Sequence, residues 1–301
     1  MPDVAVAIGN YQGEHLLADC LGSLEAQTLR PREVLVVDGA SDDQSVEVAT
    51  ALGARVLRRA NRGLGYLYNE GARASTAEYV LLLNNDVALD ERCLELLTAT
   101  LAADESLFAA DPRQVDWEHG TTIHARTTVA RGRLLQEYIP SLHLDDCVPS
   151  AEIVPTVSAH GAAMLVRREL LLELGGFDET FFMEWEDLDL CWRAWLRGHG
   201  SAYVPEARLR HRVGGATGER DLTSRLSSSH HNLMRFALKC LPARQAARVL
   251  AGELLRLPAH PRLIAPVLLA VARELPNIVR LRRGIRPSQA HLDWLLAGMP
   301  G

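Results

Sequence analysis

The chain has 301 residues, of which 48% are hydrophobic and 23% are charged. This composition is typical of a folded globular protein and argues against a disordered chain. The five cysteines are scattered and odd in number, so we predict a reducing compartment with neither a disulfide framework nor a zinc site.

No segment of the sequence has the pattern of a secretion signal or a membrane anchor. The first residues lack a basic stretch followed by a long apolar run, and nowhere do about eighteen uncharged apolar residues occur together. We therefore expect a cytoplasmic protein without a membrane-spanning helix.

Positive charge is concentrated near the C-terminus, although the net charge of the chain is -6. Residues 225–286 contain 12 Lys and Arg against 2 Asp and Glu, a net charge of +10 that leaves -16 for the rest. Because the chain is acidic overall and has no recognised nucleic-acid-binding module, nucleic acid is not expected as a partner.

Short apolar runs alternate with helical patterns along the first part of the chain. The runs at residues 4–8, 33–38, 54–58 and 78–86 are followed or separated by segments whose leucines and alanines recur at helical spacing. This alternation predicts a parallel sheet covered by helices, with a ligand crevice at the carboxyl ends of the strands. Asn10, Asp38 and residues 84–86 stand at such ends.

After residue 104, the sequence pattern predicts elements for some segments and none for others. Residues 105–155 are irregular, and we assign no element to them. "AAMLVRRELLLELGGFDE" predicts a strand and a short helix that ends at Gly175 and Gly176. From about residue 223 to 283 we expect successive helices broken by prolines, namely Pro242, Pro258, Pro261, Pro266 and Pro276.

Two groups of polar residues follow predicted strands. Asp38 could accept hydrogen bonds from a nucleobase or a ribose, or it could simply form an Asp-Gly turn. "NND" at residues 84–86 could form a turn as well, but its oxygen atoms would also suit Mg²⁺ or Mn²⁺ beside phosphates.

"FFMEWEDLDLCWRAWLRGHG" places four acids within six positions, among aromatic residues. Acids in the first turn of a helix are stabilised by the helix dipole, which is the structural explanation. A carboxylate beside apolar rings also loses hydration, a setting that suits a general base. We expect Asp189 to support the structure, and Trp192 and Trp195 to pack in the core.

Six segments together carry a resemblance to a known family. They are "VAIGNYQGEHLLADCLGSLEAQT", "EVLVVDGASDDQS", "NRGLGYLYNEGAR", "YVLLLNNDV", "HGAAMLVRRELLLELGGFDETFFMEWEDLDLCWRAWLRGHG" and "VPEARLRHRVGGATG". In this order, over roughly residues 3–220, they resemble the inverting family 2 glycosyltransferases, especially the bacterial rhamnosyltransferase-like branch. The resemblance implies an α/β GT-A fold, a Rossmann-like mixed sheet flanked by helices, in residues 1–222. A basic helical appendage would follow in residues 223–301.

The resemblance also implies roles for individual residues. Asp187 would be the catalytic base, with Glu186 beside it. Asp86 and His211 would hold Mg²⁺ or Mn²⁺, whereas Asn84, which stands at the family's first Asp, leaves metal independence as an alternative. The implied acceptor site consists of Asp178, Trp185 and Glu186. The implied donor-binding residues are Ala7, Gly9, Asp38, Asn61, Arg62, Gly63, Asn84, Asn85, Gly161 and Ala162.

The implied function is inverting transfer of a sugar from a nucleotide-diphosphate donor, with dTDP-rhamnose or a UDP-hexose favoured. The acceptor would be a glycan, lipid-linked or natural-product hydroxyl, in a setting such as cell-surface polysaccharide biosynthesis. A noncatalytic nucleotide- or carbohydrate-binding protein on the same fold is the alternative. A sugar-phosphate nucleotidyltransferase would need an early basic Gly-rich loop, which "IGNYQGEH" lacks.

The basic C-terminal part has two interpretations. "RFALKCLPARQAARVLAGELLRL" and "LPNIVRLRRGIR" mix arginines with aliphatic residues, as helices do that lie on an anionic membrane surface. Alternatively, these helices form a cap whose arginines face water or the acidic part of the chain. Peripheral contact at the inner face of the membrane and homo-oligomerisation are therefore both left open.

Overall fold

The structure, a computed structural model, describes residues 3–127, 152–214 and 222–287, together with Ala290 and Asp293. These residues form two compact units. The first contains residues 3–127, 152–182 and 186–214, and the second contains residues 183–185 and 222–287. The domain limits 1–222 and 223–301 stay predictions.

A single large sheet organises the first unit. Its strands are β1 (Val4–Asn10), β2 (Glu33–Asp38), β3 (Arg55–Arg58), β4 (Tyr79–Asn84), β5 (Val87–Leu89), β6 (Leu107–Asp116), β7 (Thr122–His124), β8 (Val154–Thr156), β9 (Ala163–Arg167) and β10 (Gly200–His211). Its helices are α1 (Leu17–Glu25), α2 (Ser45–Ala51), α3 (Leu64–Ala74), α4 (Cys93–Ala103), α5 (Arg168–Glu173) and α6 (Glu186–Trp195).

The order of the strands brings six strand ends to one edge. The order is β3-β2-β1-β4-β9-β6-β10-β5, and β1 pairs in parallel with both β2 and β4. β9 is antiparallel to its neighbours β4 and β6, and β6 pairs in parallel with β10. β3 is parallel to β2, and consequently β1, β2, β3, β4, β6 and β10 all end at the edge where β9 begins.

Both faces of the sheet are buried, because successive side chains of a strand point to opposite faces. In β1, Val4, Val6 and Ile8 pack into one core with α1 and α4, whereas Ala5 and Ala7 face the other core with α3, α5 and α6. Ala7 is small where α3 comes close, since a Cβ on Gly71 would lie 2.6 Å from the Cβ of Ala7. The sheet is thus a middle layer between helices, as predicted.

The irregular segment contains a long strand to which the sequence analysis assigned no element. β6 runs for 10 residues near the centre of the sheet and includes Asp111 and Pro112. Asp and Pro are both depleted in strands, which explains why the pattern did not reveal it. Of the other residues in this segment, 128–151 lie outside the part described.

The second unit contains three helices, α7 (Leu222–Cys240), α8 (Ala243–Arg256) and α9 (Pro261–Ile285). Pro242, Pro258 and Pro261 stand at the breaks between them, as predicted. The prediction of breaks at Pro266 and Pro276 is wrong, because both lie inside the continuous α9. Both prolines are exposed, as are Arg262 and Ala272 four residues before them, so water can reach the carbonyls that lose their helical partner.

Charged side chains are buried within the second unit. Arg235, which is fully buried, donates from Nη1 to Glu274 Oε2 at 2.6 Å, and His231 Nε2 lies 3.2 Å from Oε1 of the same glutamate. His230 Nδ1 lies 2.9 Å from Oε2 of the buried Glu253. Both acids of this basic region therefore pair with basic side chains of the same unit. Among the described helices, none is both long and apolar enough to cross a bilayer.

Candidate active site

The ends of three parallel strands are joined by side-chain amides. Asn10, at the end of β1, donates from Nδ2 to Asp38 Oδ2 at 2.9 Å. Asn85, which follows β4, donates from Nδ2 to Asn10 Oδ1 at 2.6 Å. All three side chains are buried, so the predicted donor residues Asp38 and Asn85 belong to one connected network. Asn10 had no role in the sequence analysis beyond its place at a strand end.

Asp38 forms a tight turn after β2. Its Oδ1 accepts the Ser41 N–H at 3.0 Å, and its Oδ2 accepts the Ser41 hydroxyl at 2.6 Å. The Asp38 side chain is fully buried, with Arg58 Nε 3.9 Å from Oδ1. The turn predicted for this residue is thus present. Its contact with a nucleobase stays a prediction.

The other predicted donor residues near the N-terminus occupy different settings. Ala7 lies in the middle of the β1 ladder rather than at its end, and a Cβ on Gly9 would lie 2.5 Å from Leu64 Cδ1. Gly63 has φ 96°, and a Cβ there would lie 2.5 Å from the carbonyl oxygen of Phe182. Close packing therefore explains these small residues without a ligand.

Asn61 and Arg62 are exposed next to Gly63. Asn61 Oδ1 accepts the Gly63 N–H at 3.3 Å, which helps to hold the turn before α3. Arg62 Nη2 donates to Glu179 Oε2 at 2.8 Å, and its guanidinium lies 4.4 Å from the centre of the Tyr66 ring. Because both side chains remain accessible, they could still contact a nucleotide.

Asp86 and His211 meet at the edge of the sheet. His211 Nε2 lies 3.4 Å from Asp86 Oδ1, and both residues are buried. On the other side of the ring, His211 Nδ1 lies 3.0 Å from Gln114 Oε1, an acceptor that favours the proton on Nδ1. The lone pair of Nε2 then faces the Asp86 carboxylate, so a cation between the two side chains could bind both while Gln114 orients the ring.

This pair fits a divalent ion only in part. No group of three or more His, Cys, Asp or Glu side chains that could hold a metal occurs in the described portion of the chain. Mg²⁺ is commonly bound through one or two carboxylates, with substrate phosphates and water as its other ligands. Asp86 and His211 therefore suit an ion that arrives with a diphosphate rather than a permanently caged one.

Tyr68 connects two of the predicted donor segments. Its hydroxyl lies 2.8 Å from Asn84 Oδ1 and 2.9 Å from the carbonyl oxygen of Gly161. Burial raises the pKa of Tyr68 well above its ordinary value, and the negative charges of Glu186 and Asp86 add to this effect. The hydroxyl is thus a neutral donor within a cluster of carboxylates. This role was not predicted, because in the sequence pattern Tyr68 is one apolar position of a helix.

Asp187 lies at the start of α6, opposite the turn that precedes β9. The Gly161 N–H donates to Asp187 Oδ2 at 2.9 Å, and Asp187 Oδ1 accepts the Leu188 N–H at 2.7 Å. A Cβ on Gly161 would lie 3.4 Å from Asp187 Oδ2 and 3.5 Å from Glu186 Oε1. Asp187 is partly exposed whereas Glu186 is buried. The structure therefore brings Gly161, Glu186 and Asp187 together.

The buried pair Asp111 and His124 supports the turn that precedes β9. Asp111 Oδ1 accepts the His160 N–H at 3.1 Å, and Asp111 Oδ2 lies 3.1 Å from His124 Nε2. Ala162 N–H donates to His160 Nδ1 at 3.1 Å, and the His124 and His160 rings are 4.6 Å apart. Burial raises the pKa of Asp111 well above its ordinary value. Neither Asp111 nor His124 had a role in the sequence analysis.

The remaining acid of α6 has a structural setting, as expected. Asp189 is fully buried and its Oδ2 accepts from Arg193 Nε at 2.9 Å. Arg193 also donates to the carbonyl oxygens of Leu174 and Gly176, both at 2.7 Å. Trp192 and Trp195, the tryptophans predicted for the core, are 1% and 8% exposed. Arg193, paired with Asp189, therefore ties α6 to the loop after α5.

The other predicted acceptor residues are Asp178 and Trp185. Asp178 Oδ1 accepts the Thr180 hydroxyl at 2.6 Å and the Thr180 N–H at 3.2 Å, within its own loop. Trp185 groups with the second unit, where its ring centre lies 5.5 Å from that of Phe236. The roles of both residues in binding an acceptor stay predictions.

Comparison with known proteins places the chain among sugar-transferring enzymes. The family model described as "Glycosyl transferase family 2" matches residues 5–174. Over 263 residues the chain is 30% identical to the N-acetylglucosaminyl-diphospho-decaprenol L-rhamnosyltransferase of Mycobacterium tuberculosis. That match covers 78% of this chain and 84% of the relative.

Solved structures confirm the predicted GT-A fold. GalNAc-T7 with UDP, GalNAc and Mn²⁺ matches 81% of this chain with a TM-score of 0.62 and 17% identity, and the chain spans 49% of that structure. The mannosyltransferase PcManGT of Pyrobaculum calidifontis, in complex with GDP-Man and Mn²⁺, matches 98% of this chain and 85% of its own length. Its TM-score is 0.54 and its identity is 20%.

Proposed function

The chain belongs to glycosyl transferase family 2, and from this premise we propose that it is an inverting transferase with Asp187 as its general base. The observation that supports the role of Asp187 is its fixed carboxylate. The Gly161 N–H holds Oδ2 at 2.9 Å, and Oδ1 is held at 2.7 Å by the Leu188 N–H, while the side chain stays partly exposed. Each oxygen keeps a second lone pair that can accept a proton.

The proposed reaction is a single displacement. Asp187 accepts the proton of the acceptor hydroxyl while the hydroxyl oxygen bonds to the anomeric carbon of the donor sugar. The bond from that carbon to the diphosphate breaks on the opposite side, and the electron pair leaves with the nucleoside diphosphate. The anomeric configuration is therefore inverted. Glu186, buried beside Asp187, shapes the surroundings of the base.

The charge of the site supports a divalent cation. Asp86, Glu186 and Asp187 all lie close enough to Tyr68 to raise its pKa, so an incoming diphosphate meets several negative charges. We assign the binding of Mg²⁺ or Mn²⁺ to Asp86 and His211. Such an ion supplies Lewis-acid stabilisation of the leaving diphosphate. Gln114 orients His211, and the Tyr68 hydroxyl keeps Asn84 and the Gly161 turn in place.

The donor and acceptor are inferred from the curated relative. It is named as an L-rhamnosyltransferase acting on N-acetylglucosaminyl-diphospho-decaprenol, and its match extends over most of both chains. We therefore favour dTDP-rhamnose as the donor, ahead of a UDP-hexose, and a lipid-linked glycan as the acceptor. Glycan and natural-product hydroxyls remain the other acceptor classes to be assayed.

The deciding experiment measures nucleotide release from a panel of dTDP-, UDP- and GDP-sugars with Mn²⁺, Mg²⁺ or EDTA. We expect one donor to be hydrolysed slowly, with stimulation by a metal ion. Asp187→Asn should lower the rate by at least about a hundredfold, because general base catalysis commonly contributes 10²–10⁴-fold. With an acceptor, the anomeric signal of the product in NMR spectra should show inversion.

The control is Glu173→Gln, which removes an exposed carboxylate on α5 and should leave the rate unchanged. Loss of activity in Asp187→Asn with unchanged nucleotide binding supports the role of a base. If Asp187→Asn keeps its full rate, Asp187 is not the base. If every donor binds but none is turned over, even with glycan acceptors present, the noncatalytic alternative gains.

A further inference from the structure

The outer face of α8 combines arginines with exposed leucines. Arg244, Arg248 and Leu255 follow one another at intervals of four and seven residues, so they share one side of the helix. All three are exposed, and the exposed fraction of Leu255 is 82%. The opposite side carries Val249 and Glu253, which are buried. An exposed leucine of this extent is not used in packing α8 within the unit.

α9 has an outer face of the same kind. Arg262, Leu269, Arg273 and Arg280 follow at intervals of seven, four and seven residues, and all four are exposed. Leu269 is 53% exposed. Ile264, Val267, Val271 and Ile278 form the buried side of the helix. Thus α9 also has a solvent-exposed row of arginines with an apolar side chain between them.

The exposed charges of α8 and α9 have a single sign. Between residues 226 and 287 the only carboxylate side chains are Glu253 and Glu274. Glu253 is fully buried, and Glu274 pairs with Arg235 and His231. Two cations, Arg235 and Lys239, are buried as well. The exposed cations are therefore not balanced by acids of these helices, and they are Arg244, Arg248, Arg262, Arg273, Arg280, Arg283 and Arg286.

We propose that the exposed basic rows of α8 (Arg244, Arg248 and Leu255) and α9 (Arg262, Leu269, Arg273 and Arg280) dock on an anionic phospholipid bilayer. The charge of these rows complements anionic head groups, each arginine near such a surface contributing about a fivefold increase in affinity. Leucines between the arginines gain from entering the interfacial region, which a nucleic-acid backbone would not offer. The contact is peripheral, since none of the helices described could span a bilayer.

The test is sedimentation of the full chain with two kinds of vesicle. One is phosphatidylcholine alone, and the other also contains about 30% phosphatidylglycerol, an anionic lipid that makes the vesicle surface negative. We expect binding to the anionic vesicles only, and weaker binding at high salt. The variant Arg248→Glu/Arg273→Glu/Arg280→Glu should lose at least about a hundredfold in affinity, at about fivefold for each arginine removed. Leu255→Ser/Leu269→Ser should weaken binding even at low salt.

The matched control is Arg30→Glu/Arg197→Glu/Arg210→Glu, which makes the same change in net charge with exposed arginines of the first unit. It should keep its affinity for the vesicles. Equal losses in both triple variants, or no binding of the native chain to anionic vesicles, would overturn the proposal. So would a native dimer in solution that the first triple variant dissociates without any vesicle binding. Because the readout is sedimentation, the result does not depend on the proposed transferase activity.

Discussion

Single residues at the edge of the sheet serve as links between segments that are distant in the sequence. Asn10 uses its Nδ2 for Asp38 and its Oδ1 for Asn85, so one amide joins three strand ends. The Tyr68 hydroxyl lies between two acceptors, Asn84 Oδ1 and the Gly161 carbonyl oxygen, which share its single proton. The sequence predicted the members Asp38, Asn84, Asn85 and Gly161 through the family motifs. It did not predict Tyr68, because its helical position gives no indication of which polar groups its hydroxyl meets.

Asp111 should make the stability of the protein depend on pH. Burial raises its pKa in the folded state, against an ordinary value of about 3.9 when unfolded. Its contribution is therefore fully present below about pH 3.9 and is lost as the pH rises through the folded pKa. The loss is about 1.4 kcal/mol for each pH unit between the two pKa values. Asp111→Asn removes this titration while an amide oxygen can still accept the His160 N–H.

Urea unfolding of both proteins at pH values from about 4.5 to 8 checks the prediction, because a carboxyl with a raised pKa loses its proton as the pH rises. The groups facing Asp111 are His124, the His160 N–H and the Asp187 charge, and all three remain in the variant. The free energy of unfolding of the native protein should fall relative to Asp111→Asn as the pH rises. A difference that stays constant with pH would contradict the argument.

At the scale of elements, the sequence predicted strands and helices correctly where apolar residues repeat at a constant spacing. The apolar runs that became β1, β2 and β4 and the helices between them were predicted with boundaries close to those observed. β6 was missed because Asp111 and Pro112 interrupt its apolar pattern, although both are buried. Buried polar residues are favourable only with the correct partners, and His124 and His160 become partners of Asp111 only in the folded sheet.

α9 should become more stable when an internal proline is replaced. Pro276→Ala restores an N–H that can bond to the carbonyl of Ala272, and it removes the clash of the proline ring with that carbonyl. We expect the free energy of unfolding to rise by about 1–3 kcal/mol, since an interior proline costs about 3 kcal/mol and restricts the unfolded chain by up to about 1 kcal/mol. Chemical denaturation of the native chain and the variant measures this difference.

The control introduces a proline instead of removing one. Ala272→Pro adds a third internal proline on the same exposed side of α9, and it should lower the free energy of unfolding by a similar amount. If Pro276→Ala is less stable than the native protein, the helix is locally bent in a way that requires the proline.

At the scale of the whole molecule, charge is divided along the chain. Residues 225–286 carry a net charge of +10, and the rest of the sequence carries -16. A nucleotide donor is itself an anion, so its binding among Asp86, Glu186 and Asp187 is opposed unless a cation accompanies it. The two proposals thus assign different anions to the two parts, a diphosphate with its metal ion to one and lipid head groups to the other.

Nucleotide binding should therefore depend on the metal ion when it is followed by thermal unfolding. With Mn²⁺ and a nucleoside diphosphate at about a hundred times its Kd, the gain in stability is about 2.7 kcal/mol, which raises the Tm by several degrees. In EDTA the same nucleotide should give little increase. Asp86→Asn should abolish the effect of Mn²⁺, whereas Asp90→Asn, at an exposed position, should keep it. An equal rise in EDTA would favour the metal-independent alternative raised by Asn84.

The reversed direction of β9 has a consequence for how the sequence can vary. Because β9 begins where its neighbours end, the group offered to Asp187 is the main-chain N–H of Gly161. Every amino acid except proline carries that donor, so substitution at this position does not delete the hydrogen bond. A Cβ there would lie in ordinary van der Waals contact with the carboxylates, 3.4 Å from Asp187 Oδ2 and 3.5 Å from Glu186 Oε1, so alanine fits but a longer side chain meets these oxygens. A substitution at position 161 therefore acts through side-chain volume: a residue larger than alanine would crowd the carboxylates while leaving the hydrogen bond in place.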